Sequence, residues 1–292
     1  MKLLKDLQAD KKIHTPRWLL QNVQYITLMG SVAYGVSNAD SDYDYYGFCI
    51  PPKDVMFPHL AGIIPGFGFQ GEKFDQWQQT HVIFNAKEYD FQIFSIVKYF
   101  QLCMDNNPNM LDSLFTSSRC VGFATPVAEH VRENRKLFLH KGCWPKFKGY
   151  AGSQLHKIDN NKPVGKRKIL VDKFGYDVKF AYHIVRLMDE VEQILMYGDL
   201  DLERSREMLK QIRRGEWTIL QLKDWYNDKS RQLEELYHKS ELRIKPDEDK
   251  IKALLVECLE MHYASVDDCV VIPEKANQAL LDIEEIIRKY KG

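Results

Sequence analysis

Strand-type hydrophobic patterns are confined to the first 124 residues of the chain. Short apolar runs and aromatic segments bounded by turn residues predict strands at 23–29, 42–50, 81–84 and 89–94. Residues 53–80 combine recurring glycines with aromatic residues and predict a loop-rich insertion. Ser95 has the position of a helix N-cap, because an apolar helical pattern follows it as far as 106–108.

From residue 125 onward, apolar residues recur with helical spacing and strand signals fade. Breaks at glycine, proline and asparagine separate predicted helices at 126–138, 145–158, 176–197, 202–213, 218–238, 247–263 and 273–290. The pattern predicts an α+β protein, in which a mixed sheet with helices precedes an all-helical C-terminal half. We therefore divide the chain into a domain of residues 1–124 and a helical domain of residues 125–292 that completes a cleft.

Bulk composition narrows the class of protein. The 41 basic residues balance 41 acidic ones, which argues against a surface dominated by nucleic-acid binding but leaves room for a local basic groove. The six cysteines form no CxxC or zinc-type spacing, as expected of free thiols in a reducing compartment. No signal-peptide core is present, and no uncharged run approaches the roughly 18 residues of a membrane span. We expect a cytoplasmic protein without a membrane partner.

Candidate chemistry is concentrated in residues 28–48, LMGSVAYGVSNADSDYDYYGF. Asp42 and Asp44 are two residues apart on a predicted strand, so both side chains point to the same face. Two such carboxylates repel each other unless a cation lies between them, and oxygen ligands suit Mg²⁺ or Mn²⁺. At the end of the preceding strand, Gly30 allows close backbone approach to a ligand, and Ser31 offers a hydroxyl and an N–H to phosphate oxygens.

This order of Gly-Ser, spacer and Asp-x-Asp resembles the signature of the DNA polymerase β-type nucleotidyltransferase superfamily. The whole chain looks like the predicted nucleotidyltransferases of the bacterial and bacteriophage YcgL-like type, and the similarity extends through 90–115 and 174–217. The resemblance implies a polymerase-β-like fold, an NTP substrate, and two Mg²⁺ or Mn²⁺ ions as cofactors. It further implies that Gly30 and Ser31 hold the β and γ phosphates. Asp42 and Asp44 would then hold the metals with a third carboxylate from a later strand.

We assign the third carboxylate to Asp90, because it opens a predicted strand that can neighbour the second one. The resemblance places the family's third acid in the same context, shortly before an aromatic residue and Ser95. Glu88 and Asp75 are rival candidates. The remaining alternative is that Asp90 is a solvated residue at the start of its strand.

A second polar set lies on the predicted helix 176–197. Lys179, His183 and Arg186 have the spacing i, i+4, i+7, which places them on one helical face. Three potential cations on an otherwise apolar helix are hard to bury without an anion, and a triphosphate would suit them. The alternative is that the lysine and the arginine pair with nearby acids such as Asp189 and Glu190, which would leave His183 as a satisfied core histidine. The pattern YD-x-K-x-A-x-H-x-x-R-L resembles the family's second conserved block and favours nucleotide binding.

Together these features predict a metal-dependent nucleotidyltransferase that moves a nucleoside monophosphate from an NTP to an acceptor hydroxyl and releases pyrophosphate. The acceptor class stays open between protein, RNA and small molecule. Two other functions also stay open, a non-catalytic NTP-binding regulator and an antitoxin-like interaction protein. Lys157 and the basic stretch 165–168 could guide phosphate or an RNA backbone, but for 165–168 we expect a solvated loop. For Asp177, an N-cap and a site residue stay open alike.

Overall fold

The computed structural model describes residues 1–38, 41–68, 73–160 and 163–264. Cys269 and the helix predicted at 273–290 lie outside the described residues. Within these ranges, one mixed sheet contains the strands β1 (Val23–Leu28), β2 (Tyr43–Cys49), β3 (Gln76–Phe84), β4 (Lys87–Ser95) and β5 (Val121–Ala124). Their order is β3-β4-β2-β1-β5; β2 and β4 are parallel, and the other neighbouring pairs are antiparallel. The predicted α+β class is therefore confirmed.

Helices surround the sheet and account for the regular structure described after β5. They are α1 (Lys2–Ala9), α2 (Leu19–Asn22), α3 (Gly30–Ala33), α4 (Lys53–Met56), α5 (Ile96–Met104), α6 (Pro108–Phe115), α7 (Pro126–Glu133), α8 (Cys143–Asn160), α9 (Lys166–Phe174), α10 (Val178–Tyr197), α11 (Arg206–Arg213), α12 (Ile219–Lys239) and α13 (Glu248–Tyr263). Short 3-10 turns lie at Pro58–Ala61, Ser118–Cys120 and Arg135–Phe138. Among the helices of the described ranges, none has the length and apolar character needed to cross a membrane.

The two faces of the sheet pack into different hydrophobic cores, because successive side chains of a strand alternate between faces. Phe91 and Ile93 of β4 lie in the smaller core, which α1 covers with Leu7. Phe48 of β2 and Phe94 of β4 point to the opposite face and join the larger core. That core continues through α5, α6, α8, α10 and α12, so the helical half packs directly on this face of the sheet.

Helix α10 is the central element of the helical half and packs against α8, α11 and α12. Its N-cap is Asp177, whose carboxylate accepts hydrogen bonds from the main-chain N–H groups of Lys179 and Phe180. It ends at Gly198, which adopts the left-handed conformation typical of a helix C-terminus. This 20-residue helix carries the second polar set towards the sheet.

One local prediction is incomplete and another is wrong. The loop-rich region 53–80 also contains α4 and the first residues of β3, where buried Trp77 lies between exposed glutamines. The basic stretch 165–168 is not a solvated loop but the start of α9, a helix without an apolar stripe that periodicity would detect. Helix α6 was also not predicted: Asn107 and Pro108 end the preceding segment and at the same time provide the N-cap and first residue of α6.

Candidate active site

The carboxylates predicted on two strands lie beside one another. Asp44 of β2 and Asp90 of β4 are directly paired in register on parallel strands, so their side chains point to the same sheet face. Asp42 immediately precedes β2 and is exposed. Burial, followed by the charges of Asp90 and Asp42, raises the pKa of Asp44 to about 6, and Lys179 opposes this shift. The three carboxylates therefore form one electrostatically coupled group.

The turn after β1 brings Gly30 against this group. The N–H of Met29 donates to the main-chain oxygen of Asp44 at 2.7 Å. Gly30 has a φ of +61°, and a Cβ at this position would lie 2.0 Å from Asp44 Oδ2. A side chain would have to displace the carboxylate, so glycine is required here for close approach as well as for its backbone conformation. Ser31 follows in the first turn of α3, where main-chain N–H groups lack intrahelical partners.

Asp90 is held from the side of β3 rather than from the helical half. The main-chain N–H of His81 donates to Asp90 Oδ1 at 2.7 Å, and His81 Nδ1 lies 2.5 Å from Glu88 Oε1. One ligand atom from each of these three residues lies within 4.8 Å of the others, so the set itself could hold a metal ion. The rival candidate Glu88 thus lies next to Asp90, whereas Asp75 pairs with Lys73 before the start of β3.

A cavity of about 760 Å³ opens between the sheet half and the helical half. Its wall contains predicted residues from both halves: Gly30, Ser31, Asp42, Asp44, Lys179, His183 and Arg186. Asp90 is not among the lining residues and lies behind Asp44 on the next strand. The structure therefore brings the Gly-Ser turn, the Asp-x-Asp pair and the polar face of α10 to one space.

The three members of the α10 face differ in electrostatic state. Lys179 is exposed and has no ion pair within the part of the chain that the structure describes. His183 is half-buried, and its pKa falls to about 3, first because of burial and then because of the neighbouring cations Arg186 and Arg167. At neutral pH His183 is therefore an uncharged imidazole, which can exchange hydrogen bonds with a ligand but adds no positive charge.

Arg186 belongs to a buried ion network. It is 8% exposed, and its Nη1 donates to the Tyr34 hydroxyl at 2.8 Å. Its Nε lies 3.3 Å from Glu190 Oε1, and its Nη2 lies 3.7 Å from Asp112 Oδ2. The Tyr34 hydroxyl in turn donates to Asp112 at 2.5 Å. The structure thus shows the acid pairing that was the alternative for Arg186, with Asp112 as a partner that the sequence did not suggest.

Several lining residues were not predicted from the sequence. Lys210 and Arg213 of α11 and the following Arg214 add positive charge to the wall, and Tyr34 and Tyr182 add aromatic surface. Helical periodicity placed a helix at 202–213, but it could not show that the C-terminal end of this helix faces the Gly-Ser turn. The end-of-helix cluster IRRGEW is the only local signal, and helix termination explains it equally well.

Two of the other basic residues considered from the sequence, Lys157 and Arg167, line a separate, smaller cavity of about 270 Å³. Arg167 pairs with Asp177 at 3.0 Å and lies 4.2 Å from the centroid of the Phe180 ring. Lys157 Nζ lies 5.9 Å from the same centroid. The N-cap and ion-pair contacts give Asp177 a structural role at the start of α10.

Comparison with known proteins gives one family match. The model of the family described as RlaP, RNA repair pathway DNA polymerase beta family, matches residues 2–257. This match confirms the polymerase β-type assignment and does not bear on the YcgL-like branch. No curated protein matches the chain. A solved nucleotidyltransferase-like protein from Exiguobacterium sibiricum is 7% identical over 80% of this chain and 73% of that chain, with a TM-score of 0.28. A likeness this weak carries no conclusion about fold or function.

Proposed function

The chain belongs to the RNA repair pathway DNA polymerase beta family, and on this basis we propose that it transfers a nucleoside monophosphate from an NTP to an acceptor hydroxyl. An acceptor oxygen forms a bond to the α-phosphorus, the bond to the bridging oxygen of the β phosphate breaks, and pyrophosphate leaves. The hydroxyl proton passes to solvent. Such a reaction needs positioning and charge neutralisation more than covalent help from the protein.

The observation that carries this proposal is the register of β2 and β4. It places Asp44 beside Asp90 on one face, and the Gly30 backbone lies directly against Asp44. A phosphate-binding turn and a group of carboxylates are thereby adjacent at the rim of one cavity. A chance cluster of surface acids would not require Asp44 and Asp90 to be paired in register, nor a glycine in close contact with Asp44.

The same carboxylates fit a divalent metal site. Their donor atoms are all oxygen. Burial is the main reason for the raised pKa of Asp44, and the charges of Asp90 and Asp42 raise it further, so a bound cation would relieve this repulsion. We propose that Asp42, Asp44 and Asp90 hold two Mg²⁺ or Mn²⁺ ions. When bound, these ions would neutralise the α-phosphate and stabilise the attacking and leaving oxygens. The roles of the protein are to hold the carboxylates on one face and to orient the triphosphate.

We propose an RNA hydroxyl as the acceptor. The family description places its members in RNA repair. The chain has no overall positive charge, which argues against coating a long nucleic acid but not against binding a single RNA end beside the carboxylates.

The test is transfer of label from each α-³²P-labelled NTP, with Mg²⁺ or Mn²⁺, to separated RNA, protein and small-molecule fractions of a lysate. We expect the wild type to label the RNA fraction and Asp44→Asn to lose at least about 100-fold in rate, as expected when a positioned charge is removed. Asp54→Asn removes the same charge from the exposed first turn of α4 and provides the matched control.

Each outcome has a defined meaning. Label in a protein or small-molecule fraction would retain the transferase and replace the proposed acceptor. Equal labelling by the wild type and Asp44→Asn would rule out the proposed site. Saturable NTP binding without transfer to any fraction would support a non-catalytic regulator instead.

A further inference from the structure

The C-terminal end of α11 lines the cavity with three basic side chains. We infer that Lys210, Arg213 and Arg214, here called the α11 edge, bind the β and γ phosphates together with Lys179. Arg186 also lines the cavity, but it stabilises the fold through buried ion pairs and does not contact the phosphates. The inference rests on the proposed function, because it names the residues that hold the leaving pyrophosphate.

The charge of Arg186 is already balanced within the protein. Two carboxylates, those of Asp112 and Glu190, lie within 3.7 Å of its guanidinium, and the Tyr34 hydroxyl accepts one of its N–H groups. Moving this guanidinium to a phosphate would leave two acids buried without a cation, which is costly. With His183 uncharged, the α10 face supplies only Lys179 as a cation available to a ligand.

The α11 edge supplies cations that a ligand can reach. Arg213 has no ion pair among the residues that the structure describes, and its guanidinium uses one N–H in a bond to the main-chain oxygen of Val36 at 2.8 Å. Lys210 pairs with Glu207 and Arg214 pairs with Glu216, and both of these ion pairs are exposed. Exposed pairs contribute little to stability, so a polyphosphate can replace the glutamates at small cost.

Contacts between α11 and the Gly-Ser turn place these cations where the phosphates are expected. Val36, which accepts the bond from Arg213, donates its own N–H to the main-chain oxygen of Ser31 at 2.9 Å. At the other end of the helix, a Cβ on Gly35 would lie 2.6 Å from Arg206 Cδ. The segment that follows the Gly-Ser turn therefore contacts α11 at both ends, and Gly30, Ser31 and the α11 edge line the same cavity.

The experiment is a calorimetric titration with inorganic tripolyphosphate in Mg²⁺ buffer, because this probe is independent of base preference. We expect the wild type to bind it and Arg213→Gln to bind about tenfold to 100-fold more weakly, as for the loss of a charged hydrogen bond. The double variant Lys210→Gln/Arg214→Gln alters one half-buried and one exposed side chain, neither of them in the core, and provides a second measurement with little risk to folding. We expect it to weaken binding by about tenfold or more.

The matched control is Arg206→Gln, which removes the same charge from the same helix at a residue that does not line the cavity. We expect it to bind tripolyphosphate within about twofold of the wild type. The inference is overturned if the wild type does not bind the probe, if the α11-edge variants bind as the wild type does, or if Arg206→Gln weakens binding equally. Folded Arg186→Gln protein with a loss as large as that of Arg213→Gln would overturn the role given to Arg186.

The transfer assay on the same variants separates this inference from the proposed function. If tripolyphosphate binding depends on Arg213 but the protein transfers no label, the phosphate site is supported and the proposed transferase function is ruled out. Label transfer that depends on Asp44 but not on the α11 edge, with unchanged tripolyphosphate binding, would keep the transferase and remove this phosphate site.

Discussion

At Gly30, the backbone comes closer to Asp44 than any side chain would permit. A methyl group at this position would lie 2.0 Å from the carboxylate oxygen, and the φ of +61° adds strain for any other residue. We expect Gly30→Ala to displace the Asp44 carboxylate and to lower the transfer rate by about 100-fold, as a shift of about 1 Å in a catalytic group can do. The measurement is label transfer under single-turnover conditions, with the free energy of unfolding determined in parallel.

Gly62 provides the comparison that separates close approach from backbone strain. It has a φ of +77°, and no atom lies within 4 Å of a Cβ built there. Gly62→Ala should therefore lower the free energy of unfolding by about 1 kcal/mol, the same backbone cost that we expect for Gly30→Ala. It should leave the label-transfer rate unchanged. If both variants reduce transfer alike, the contact between Gly30 and Asp44 is not what the reaction requires.

Residues close to each other in the sequence were the part of the site that could be predicted. Two aspartates two apart on a strand necessarily share a face, and Ser95 next to an apolar helical pattern is a cap, as its bond from the Lys98 N–H shows. The partners of Arg186 could be predicted only in part. Glu190 is one turn away on the same helix, whereas Asp112 reaches Arg186 through tertiary packing that no local pattern encodes.

At the scale of elements, this ion network connects three parts of the chain. Tyr34 follows α3, Asp112 lies in α6, and Arg186 and Glu190 lie one turn apart in α10. The network therefore connects the Gly-Ser turn to the central helix of the C-terminal half. The same reasoning explains why the α11 edge was missed, because its place in the site depends on how two elements pack and not on the sequence of either.

We expect Arg186→Met to lower the free energy of unfolding by about 3–5 kcal/mol, because it leaves two buried carboxylates without their cation. Lys179→Met removes a cation from the same helix at an exposed position and should change stability by no more than about 0.5 kcal/mol. Urea denaturation of both variants measures the difference. Equal stabilities would show that the network contributes little to the fold. Arg186 would then be available to bind phosphate.

At the scale of the whole molecule, the zero net charge conceals a separation of charge across the cavity. The sheet half contributes Asp42 and Asp44, and the helical half contributes Lys179 and the α11 edge. A metal-bound triphosphate suits both walls, because the ions meet the carboxylates and the phosphate oxygens meet the cations. The division into domains of 1–124 and 125–292 stays a prediction, although residues of both parts line this cavity and share the larger core.

The acidic wall makes stability depend on pH in the absence of metal. The pKa of Asp44 is raised to about 6, above its unfolded value of 3.8, so the folded protein binds more protons than the unfolded chain between these values. The resulting stabilisation is complete below about pH 4 and is lost as the pH rises through about 6. Burial also raises the pKa of Asp112 to about 6, so other groups contribute in the same range and the effect of Asp44 must be measured as a difference.

We therefore expect metal-free Asp44→Asn to gain stability relative to the wild type as the pH rises from about 4 to about 7, since the variant has no carboxylate to ionise at this position. Asp112 is present in both proteins and its contribution cancels.

Adding Mg²⁺ at about pH 7 should stabilise the wild type and leave Asp44→Asn nearly unchanged, because a bound cation favours the ionised carboxylate. Urea denaturation across this pH range, with and without Mg²⁺, measures both differences. A difference between the two proteins that does not vary with pH would show that Asp44 ionises as an ordinary surface aspartate, and equal stabilisation of both by Mg²⁺ would place the metal elsewhere.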